Sequence, residues 1–209
     1  MKIRDIPIVL HTMDSYDKFW NHWFYFFKKY CKNHGTIYFL SENKEPDFIE
    51  NVIHIKTGKG EWGERLLYGL SKINDDLIFY MQEDFWPHTE LIMDEDLIQK
   101  FNDYNMDQLH IKEILRDYCS VTQIKDDLYR FNQLSDYTHN HQFGLWKKNK
   151  LIENVLPEEN PWQNEVYGTM RLNKKNHNVY IIDKSWYTTV ARKGMLMERG
   201  KELLKKHNL

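Results

Sequence analysis

The chain opens with a short apolar run followed by a stripe of aromatic residues. Residues 6–11 are mostly apolar and residues 12–15 mostly polar, as expected for a buried strand that ends in a loop. The aromatic stripe recurs at helical spacing and comprises Tyr16, Phe19, Trp20, Trp23, Phe24 and Phe27. These positions share one helical face, and Asp14 or Ser15 is suited to cap the helix. The pattern predicts a strand that leads into an amphipathic helix.

Strand and helix patterns continue to alternate through the first half. Apolar runs at residues 36–40, 51–55 and 76–81 predict three more strands, and residues 62–73 predict a helix after a flexible turn at 57–60. Strands that alternate with helices form parallel, twisted sheets covered by helices on both faces. We therefore predict an α/β fold with a mixed, mostly parallel central sheet.

The second half is less regular. The predicted helices are 94–104, 150–155 and 195–207, and the predicted strands are 108–114, 128–134, 142–146 and 179–183. One more helix begins at Asn160, which with Pro161 and Gln163 forms a capping-box pattern. The sequence contains no internal repeat or linker, so residues 1–209 are interpreted as a single domain.

The composition limits which partners the protein can bind and in which cellular compartment it is expected. The chain has 209 residues, 41% of them hydrophobic, which suffices for one buried core. A formal net charge of -2 argues against a nucleic-acid partner. Only Cys31 and Cys119 are present, and no apolar run approaches the ~20 residues of a membrane span. We expect a cytoplasmic protein without a transmembrane segment. Tyr25 and Phe26 lie off the aromatic stripe, which indicates a helix buried on two sides or leaves contact with a membrane or a partner open.

An acidic pair directly follows the apolar run 76–81. Gln82, Glu83 and Asp84 stand where that predicted strand ends, and open α/β sheets bind ligands beyond the carboxyl ends of their strands. Adjacent carboxylates repel each other unless a cation or a donor relieves them. Mg²⁺ or Mn²⁺ accepts carboxylate and phosphate oxygens together. The same residues are also compatible with a charged turn after a buried strand.

A further acidic residue with possible chemistry is Glu165, which lies in the second turn of the helix that begins at Asn160. The positive end of a helix favours an ionised carboxylate, and a general base must be ionised to accept a proton. Complementing the helix dipole is the alternative role for this residue.

Two blocks of sequence resemble the small nucleotide-sugar glycosyltransferases of the GT-A fold. The first comprises Trp62, residues 66–70 and residues 76–85, a helix leading into a strand that ends in a DXD-like acidic motif. The second comprises residues 142–148, Leu151 and residues 160–165, a strand followed by a Pro-Trp-x-x-Glu helix. Compact viral and bacterial glycosyltransferase domains are similar in size and order of blocks.

The resemblance implies a single GT-A-like (Rossmann-like) domain and a metal-assisted transfer. The donor would be a nucleotide-diphosphate sugar, and the acceptor would be a hydroxyl of a glycan or glycoprotein. Asp84 would be the principal ligand of Mn²⁺ or Mg²⁺, and Glu83 would assist it or face the ribose. Metal and diphosphate together offset charge on the leaving group. Glu165 would deprotonate the acceptor in an inverting displacement.

The resemblance also implies a nucleotide site. His11, Thr12 and Asp14 would lie near the base and ribose, and Arg65 would reach the diphosphate. Gln82 replaces the usual first Asp of the motif and carries no charge. Either the affinity for the metal is therefore low, or the metal binds only together with the nucleotide.

Several other residues have two possible roles each. His139 and His141 alternate on a predicted strand and would hold a transition metal or line an acceptor pocket. Arg192 and Lys193 would close over phosphates or form a solvated charge pair. Three tryptophans are candidates for stacking on a sugar or for packing in the core, namely Trp146, Trp162 and Trp186.

Two other functions stay open. A nucleotidyltransferase also joins an α/β sheet to acidic metal ligands, but usually carries a Gly-rich basic loop where this chain has residues 11–14. A non-catalytic carbohydrate- or nucleotide-binding module is the alternative without enzyme activity.

Overall fold

The computed structural model describes residues 2–47 and 50–209, which form a mixed α/β fold. The strands are β1 Ile8–His11, β2 Cys31–Lys32, β3 Ile37–Ser41, β4 Val52–Lys56, β5 Leu77–Gln82, β6 Phe85–Pro87, β7 Leu91–Ile92, β8 Gln108–Lys112, β9 Val121–Lys125, β10 Leu128–Phe131, β11 Gly144–Lys147, β12 Val179–Asp183, β13 Tyr187–Thr189, β14 Ala191–Arg192 and β15 Met195–Leu196. The helices are α1 Asp17–Tyr30, α2 Trp62–Ser71, α3 Glu95–Asp103, α4 Lys148–Ile152, α5 Pro161–Lys174 and α6 Glu198–Lys206. Short 3₁₀ helices occupy Ile3–Asp5 and Asp14–Tyr16.

A large central sheet organises the molecule. Its strand order is β4-β3-β1-β5-β11-β8-β12-β10-β9. Among the described strands of this sheet, β11 and β10 run against the direction shared by the others. The predicted mixed, mostly parallel sheet is confirmed. Its topology places the carboxyl ends of β1, β5 and β8 on one edge, where the start of antiparallel β11 also arrives.

Helices cover both faces of the sheet, as the alternating pattern predicts. The aromatic stripe of α1 packs with Trp86 and residues of α3 and α6 on one face, while α2 and α4 pack on the other. Phe26, off the stripe, is fully buried and stacks on Trp86 at 5.3 Å, whereas Tyr25 is 39% exposed. The α1 helix is therefore buried on two sides.

The helix caps follow the sequence only in part. Asn160 accepts from the N–H of Gln163 at 2.9 Å, and Gln163 accepts from the N–H of Asn160 at 3.0 Å, so the predicted capping box is confirmed. The predicted cap of α1 by Asp14 or Ser15 is wrong, because Tyr16 occupies that position without a side-chain cap.

Several predicted element bounds are also wrong. The short helix predicted over 150–155 spans Lys148–Ile152 instead. The helix predicted over 195–207 begins at Glu198, because Met195–Leu196 pairs with Ala191–Arg192 as a hairpin. The strand predicted over 128–134 ends at Phe131, and Leu134 has a left-handed φ of 67°. β11 begins at Gly144, so the histidines at 139 and 141 lie in a loop. Within residues 2–47 and 50–209, no helix combines the length and apolar character needed to cross a membrane.

Candidate functional site

A cavity of about 800 Å³ opens at the carboxyl edge of the central sheet. Of the eight residues predicted for the site, seven line it: His11, Thr12, Arg65, Gln82, Glu83, Asp84 and Glu165. The parallel sheet brings the ends of β1 and β5 together there, α2 supplies Arg65, and α5 supplies Glu165.

Asp14 is the exception, since it lies outside the cavity lining. Its carboxylate accepts from the backbone N–H groups of Glu42, Asn43 and Lys44 at 3.1 to 3.2 Å. Asp14 therefore holds the loop after β3 rather than capping α1. Three convergent N–H donors compete successfully for a short carboxylate side chain.

The acidic pair occupies the turn between β5 and β6. Burial raises the pKa of Glu83 well above its usual value, Asp84 adds to the rise, and Thr12 and Arg65 oppose it. Burial also raises the pKa of Asp84 to about 7, with a further contribution from Glu165. Removing two neighbouring carboxylates from water costs free energy unless a cation or a donor compensates.

The chemistry of the acidic pair fits part of a donor set for a divalent cation. Asp84 Oδ1 is buried and has no hydrogen-bond partner among the described residues. Within the described chain, no group of three or more His, Cys, Asp or Glu side chains is arranged to hold a metal. Mg²⁺ typically binds through one or two carboxylates and completes its shell with water and phosphate oxygens. Glu83 and Asp84 fit such a partial set.

A buried cation and a neutral imidazole form the floor of the cavity. Arg65 is 2% exposed, and its Nη1 donates to the Thr12 carbonyl at 3.0 Å. Burial, followed by Arg65, lowers the pKa of His11 well below its usual value. Both ring nitrogens of His11 are buried without a hydrogen-bond partner in the described chain, and its ring lies 5.5 Å from that of Trp62. Polar groups of a ligand or ordered water would satisfy such atoms.

Glu165 faces the cavity from α5. Its Oε1 accepts a hydrogen bond from the backbone N–H of His141 at 3.2 Å. The pKa of Glu165 shifts in the direction opposite to the one that the helix dipole would produce. Burial raises its pKa, and the His141 bond and Lys112 only oppose that rise. The dipole effect fades beyond the first helical turn, so desolvation dominates at this position.

A buried polar network, not predicted from the sequence, fixes α5. Arg171 donates to both carboxylate oxygens of Glu159, at 2.8 and 2.6 Å. Asn164, next to Glu165, donates to Glu159 at 2.5 Å and to the Asn154 carbonyl at 2.9 Å. The Glu159 carbonyl accepts from the N–H of Gly63, which joins the network to the start of α2.

The β14–β15 hairpin forms another wall of the cavity. Arg192 and Lys193 line the cavity at its turn and are exposed. Gly194 has a φ of 72°, which glycine adopts without strain, and its N–H donates to the Tyr16 hydroxyl at 2.8 Å. Gly194 is the local sequence signal for this turn, since glycine commonly marks turns and loops. The structure thus places both basic residues at the cavity.

The three tryptophan candidates separate clearly. Trp146 and Trp186 are fully buried and belong to the core. Trp162 is 57% exposed and lines the cavity at its rim. Only Trp162, of these three, is accessible to a sugar.

The paired histidines lie behind the site rather than in it. His139 and His141 are buried, their rings are 4.9 Å apart, and neither lines the cavity. His139 Nε2 lies 2.6 Å from Asn164 Oδ1, and burial lowers the pKa of His139 to about 4. Their loop therefore supports α5 with neutral imidazoles.

Two further residues near the acidic pair were not predicted. The Tyr187 hydroxyl donates to Gln142 Oε1 at 2.8 Å, and Gln142 lines the cavity. Burial, with a contribution from Asp84, raises the pKa of Tyr187 well above its usual value. Gln142 begins the second resemblance block without a predicted role, and Tyr187 lies outside both blocks, so only the folded chain reveals their contact.

Comparison with known proteins agrees with this architecture. No family model and no curated protein matches the chain. Among solved structures, the chain is similar to a TarS fragment from S. aureus, residues 1–349, in complex with UDP-GlcNAc. The TM-score is 0.62, with 16% identity over 97% of this chain and 65% of that one. The chain thus spans about two thirds of the TarS fragment.

Two other solved structures align with nearly their whole length. HddC from Yersinia pseudotuberculosis has a TM-score of 0.62 and 10% identity, covering 97% of this chain and 99% of that one. A CMP:2-keto-3-deoxy-manno-octonic acid synthetase in complex with CTP has a TM-score of 0.58 and 13% identity, covering 98% and 100%. At these identities the likeness concerns the fold, and the fold is GT-A-like.

Proposed function

We propose that the chain is a glycosyltransferase that moves a sugar from a nucleotide-diphosphate sugar to a hydroxyl of a glycan or glycoprotein. The observation that carries the proposal is one cavity that joins Glu83 and Asp84 to the separately positioned Glu165. The similarity to a TarS structure that contains UDP-GlcNAc supports the donor class.

On this proposal the donor occupies the inner part of the cavity. Asp84 and Glu83 would hold Mn²⁺ or Mg²⁺, and the chemistry that such an ion would supply is compensation of negative charge on the leaving group. Arg65 contributes a buried positive charge, and Arg192 and Lys193 contribute exposed ones. The polar groups nearest a nucleoside are then His11, Thr12 and Gln82.

The acceptor occupies the outer part of the cavity. Its hydroxyl oxygen attacks the anomeric carbon, its proton passes to the Glu165 carboxylate, and the bond to the diphosphate breaks with inversion. A raised pKa makes Glu165 a better proton acceptor at neutral pH than an ordinary carboxylate. Trp162 at the rim offers an aromatic face for the acceptor sugar.

The two alternatives have weaker support. A CMP:2-keto-3-deoxy-manno-octonic acid synthetase and a UDP-glucose pyrophosphorylase share the fold, but residues 11–14 form no Gly-rich basic loop after β1. A binding module has no need for a carboxylate opposite the acidic pair. The buried thiols of Cys31 and Cys119 are unpaired, in keeping with the proposed cytoplasmic location.

A donor screen tests the proposal directly. Thermal unfolding is followed with UDP-, GDP- and dTDP-sugars, each with and without Mn²⁺. Binding at 100-fold the dissociation constant stabilises a protein by roughly 2.7 kcal/mol. Metal-dependent stabilisation by one donor class, followed by nucleotide release with a sugar acceptor, supports the transferase. Pyrophosphate release from a nucleoside triphosphate and a sugar phosphate would instead establish a nucleotidyltransferase, and no binding to any donor contradicts both.

A further inference from the structure

The outer face of α5 carries larger apolar side chains than its inner face. The buried side of this helix presents Asn164, Gly168, Thr169 and Leu172. The solvent side presents Trp162, Val166, Tyr167 and Met170, with exposed fractions of 57, 56, 51 and 64%. A helix at the surface of a monomer normally has the opposite arrangement. The outer face therefore has the character of a covered surface.

The apolar surface extends beyond the helix. Leu134 is 79% exposed and has a left-handed φ of 67°, a conformation that is uncommon for a non-glycine residue. Leu134 and Met170 line one shallow groove of about 530 Å³. Tyr167 and Met170 line a second groove of about 460 Å³, so the grooves meet at Met170. Strained backbone that presents an exposed leucine is often retained for a contact.

The spacing on this face suits a second helix. Trp162, Val166 and Met170 are four residues apart and form one ridge. Ridges of this kind on two helices pack into each other's grooves in the commonest class of helix packing. A second copy of α5 supplies a matching ridge.

The charges at the two ends suit an antiparallel copy. The groove near the start of α5 includes Glu158, and the groove near its end includes Lys174. Both side chains are exposed. A two-fold axis between antiparallel helices places each acidic end on the same side of the crossing point as the basic end of the other copy. The helix dipoles then also oppose each other favourably.

We propose that two copies of this chain pair through the outer faces of α5, about a two-fold axis at Val166. Val166 then faces its own counterpart, and Trp162 faces Met170 of the second copy, a favourable sulfur–aromatic contact. A net charge of -2 per chain opposes pairing only weakly. Because Trp162 also lines the cavity, pairing would shape the acceptor entrance. The pairing does not depend on the proposed function.

Mass in solution tests the pairing. Light scattering after gel filtration is expected to give twice the chain mass of 25.6 kDa. Met170→Glu, which puts two charges into the interface, should weaken the dimer at least about tenfold. The matched control is Tyr68→Glu, at a residue of α2 that is 45% exposed outside this face, and it should leave the dimer intact. A wild-type monomer at high concentration, or a dimeric Met170→Glu variant, overturns the proposal.

A cross-link tests the two-fold geometry. Cys31 and Cys119 are buried, so a new surface thiol reacts selectively. Val166→Cys should form a disulfide-linked dimer under mild oxidation, because Val166 lies on the proposed axis. Tyr68→Cys should remain monomeric on a denaturing gel. Equal cross-linking of the two variants indicates random collision and contradicts the axis, as does the absence of cross-linking at residue 166.

Discussion

Glu165 Oε1 accepts a hydrogen bond from the backbone N–H of His141 at 3.2 Å. This contact joins α5 to the loop that enters β11, the antiparallel strand beside β5. The carboxylate is therefore positioned by the same part of the sheet that ends in the acidic pair. Since Glu165 also raises the pKa of Asp84, the two sides of the cavity are electrostatically connected.

Replacing Glu165 with Gln should remove the proposed base while preserving the contact with His141, since the amide oxygen still accepts. Turnover with donor and acceptor is expected to fall by about 10² to 10⁴, the usual contribution of a positioned general base. Donor affinity, measured by titration calorimetry with Mn²⁺, should change little. Unchanged turnover in this variant would show that Glu165 is not the base.

The pH dependence of turnover follows from the same residue. Burial raises the pKa of Glu165, and only the ionised form accepts a proton. The rate should therefore rise with pH and reach its plateau above the pH range of an ordinary glutamate. A rate that is already constant from pH 5 upward would contradict this assignment.

Replacing Asp84 with Asn should abolish metal-dependent donor binding, because the carboxylate with the unpartnered buried oxygen is lost. Calorimetry should show no difference in donor affinity with and without Mn²⁺. If donor binding still depends on the metal in this variant, Asp84 is not the principal ligand, and Glu83 or the nucleotide alone must hold the ion. Asp117→Asn, at an exposed position, serves as the control.

Asp84→Asn should also stabilise the ligand-free protein at alkaline pH. The pKa of Asp84 is raised from 3.8 to about 7, so the folded chain retains a proton that the unfolded chain has lost between these values. The stability this proton confers is present at low pH and disappears as pH rises through 7. Asp84→Asn should therefore gain about 1 to 3 kcal/mol more at pH 8 than at pH 5 in urea unfolding. An equal effect at both pH values would contradict the raised pKa.

Strong local signals were sufficient to predict most of the sheet and the main parts of the site. The aromatic stripe of α1, the apolar run of β5 and the capping box of α5 each combine periodicity with a terminus signal. Glu83 and Asp84 follow a buried strand directly, and Glu165 lies at a fixed distance after a cap. Such features are linear in the sequence, so these three carboxylates could be singled out without the structure, whereas His11, Thr12 and Arg65 were expected only from the family resemblance.

The remaining features depend on contacts between distant residues. Asp14 binds the loop after β3, Tyr16 holds the turn at Gly194, and Glu159 pairs with Arg171. None of these pairings has a local signature. The direction of the pKa shift at Glu165 was missed for a related reason, because desolvation depends on what the fold packs around a carboxylate.

Replacing Trp162 with Ala should weaken acceptor binding selectively. The ring is 57% exposed at the cavity rim, so its removal should change the free energy of unfolding by no more than about 0.5 kcal/mol. The acceptor KM is expected to rise about tenfold, a loss of about 1.4 kcal/mol, with little change in donor affinity. Trp162→Phe keeps an aromatic ring, so the acceptor KM should rise less in this variant than in Trp162→Ala. The mass of each variant is measured in parallel, since Trp162 borders the proposed pairing face, and an unchanged acceptor KM would exclude the stacking role.

Replacing Tyr16 with Phe should loosen the hairpin that carries Arg192 and Lys193. The variant removes the hydroxyl that accepts from the Gly194 N–H at 2.8 Å. One hydrogen bond contributes about 0.5 to 1.5 kcal/mol, so donor affinity should fall roughly two- to tenfold. Tyr25→Phe, at a half-exposed residue of α1 away from the cavity, is the matched control. If Tyr16→Phe and the wild type bind the donor with equal affinity, the hairpin does not contribute to donor binding.

Replacing Arg171 with Met should destabilise the protein and displace α5. The Glu159 side chain is 6% exposed and loses both guanidinium donors, and an uncompensated buried charge costs about 3 kcal/mol. Lys175→Met removes the same charge from an exposed pair with Glu153 and should cost less than about 1 kcal/mol. Adding Glu159→Gln to Arg171→Met should restore much of the lost free energy of unfolding, because the unpaired charge is then absent. If Arg171→Met and Lys175→Met unfold at the same urea concentration, the network does not hold α5, and the position of Glu165 must be set by the His141 contact alone.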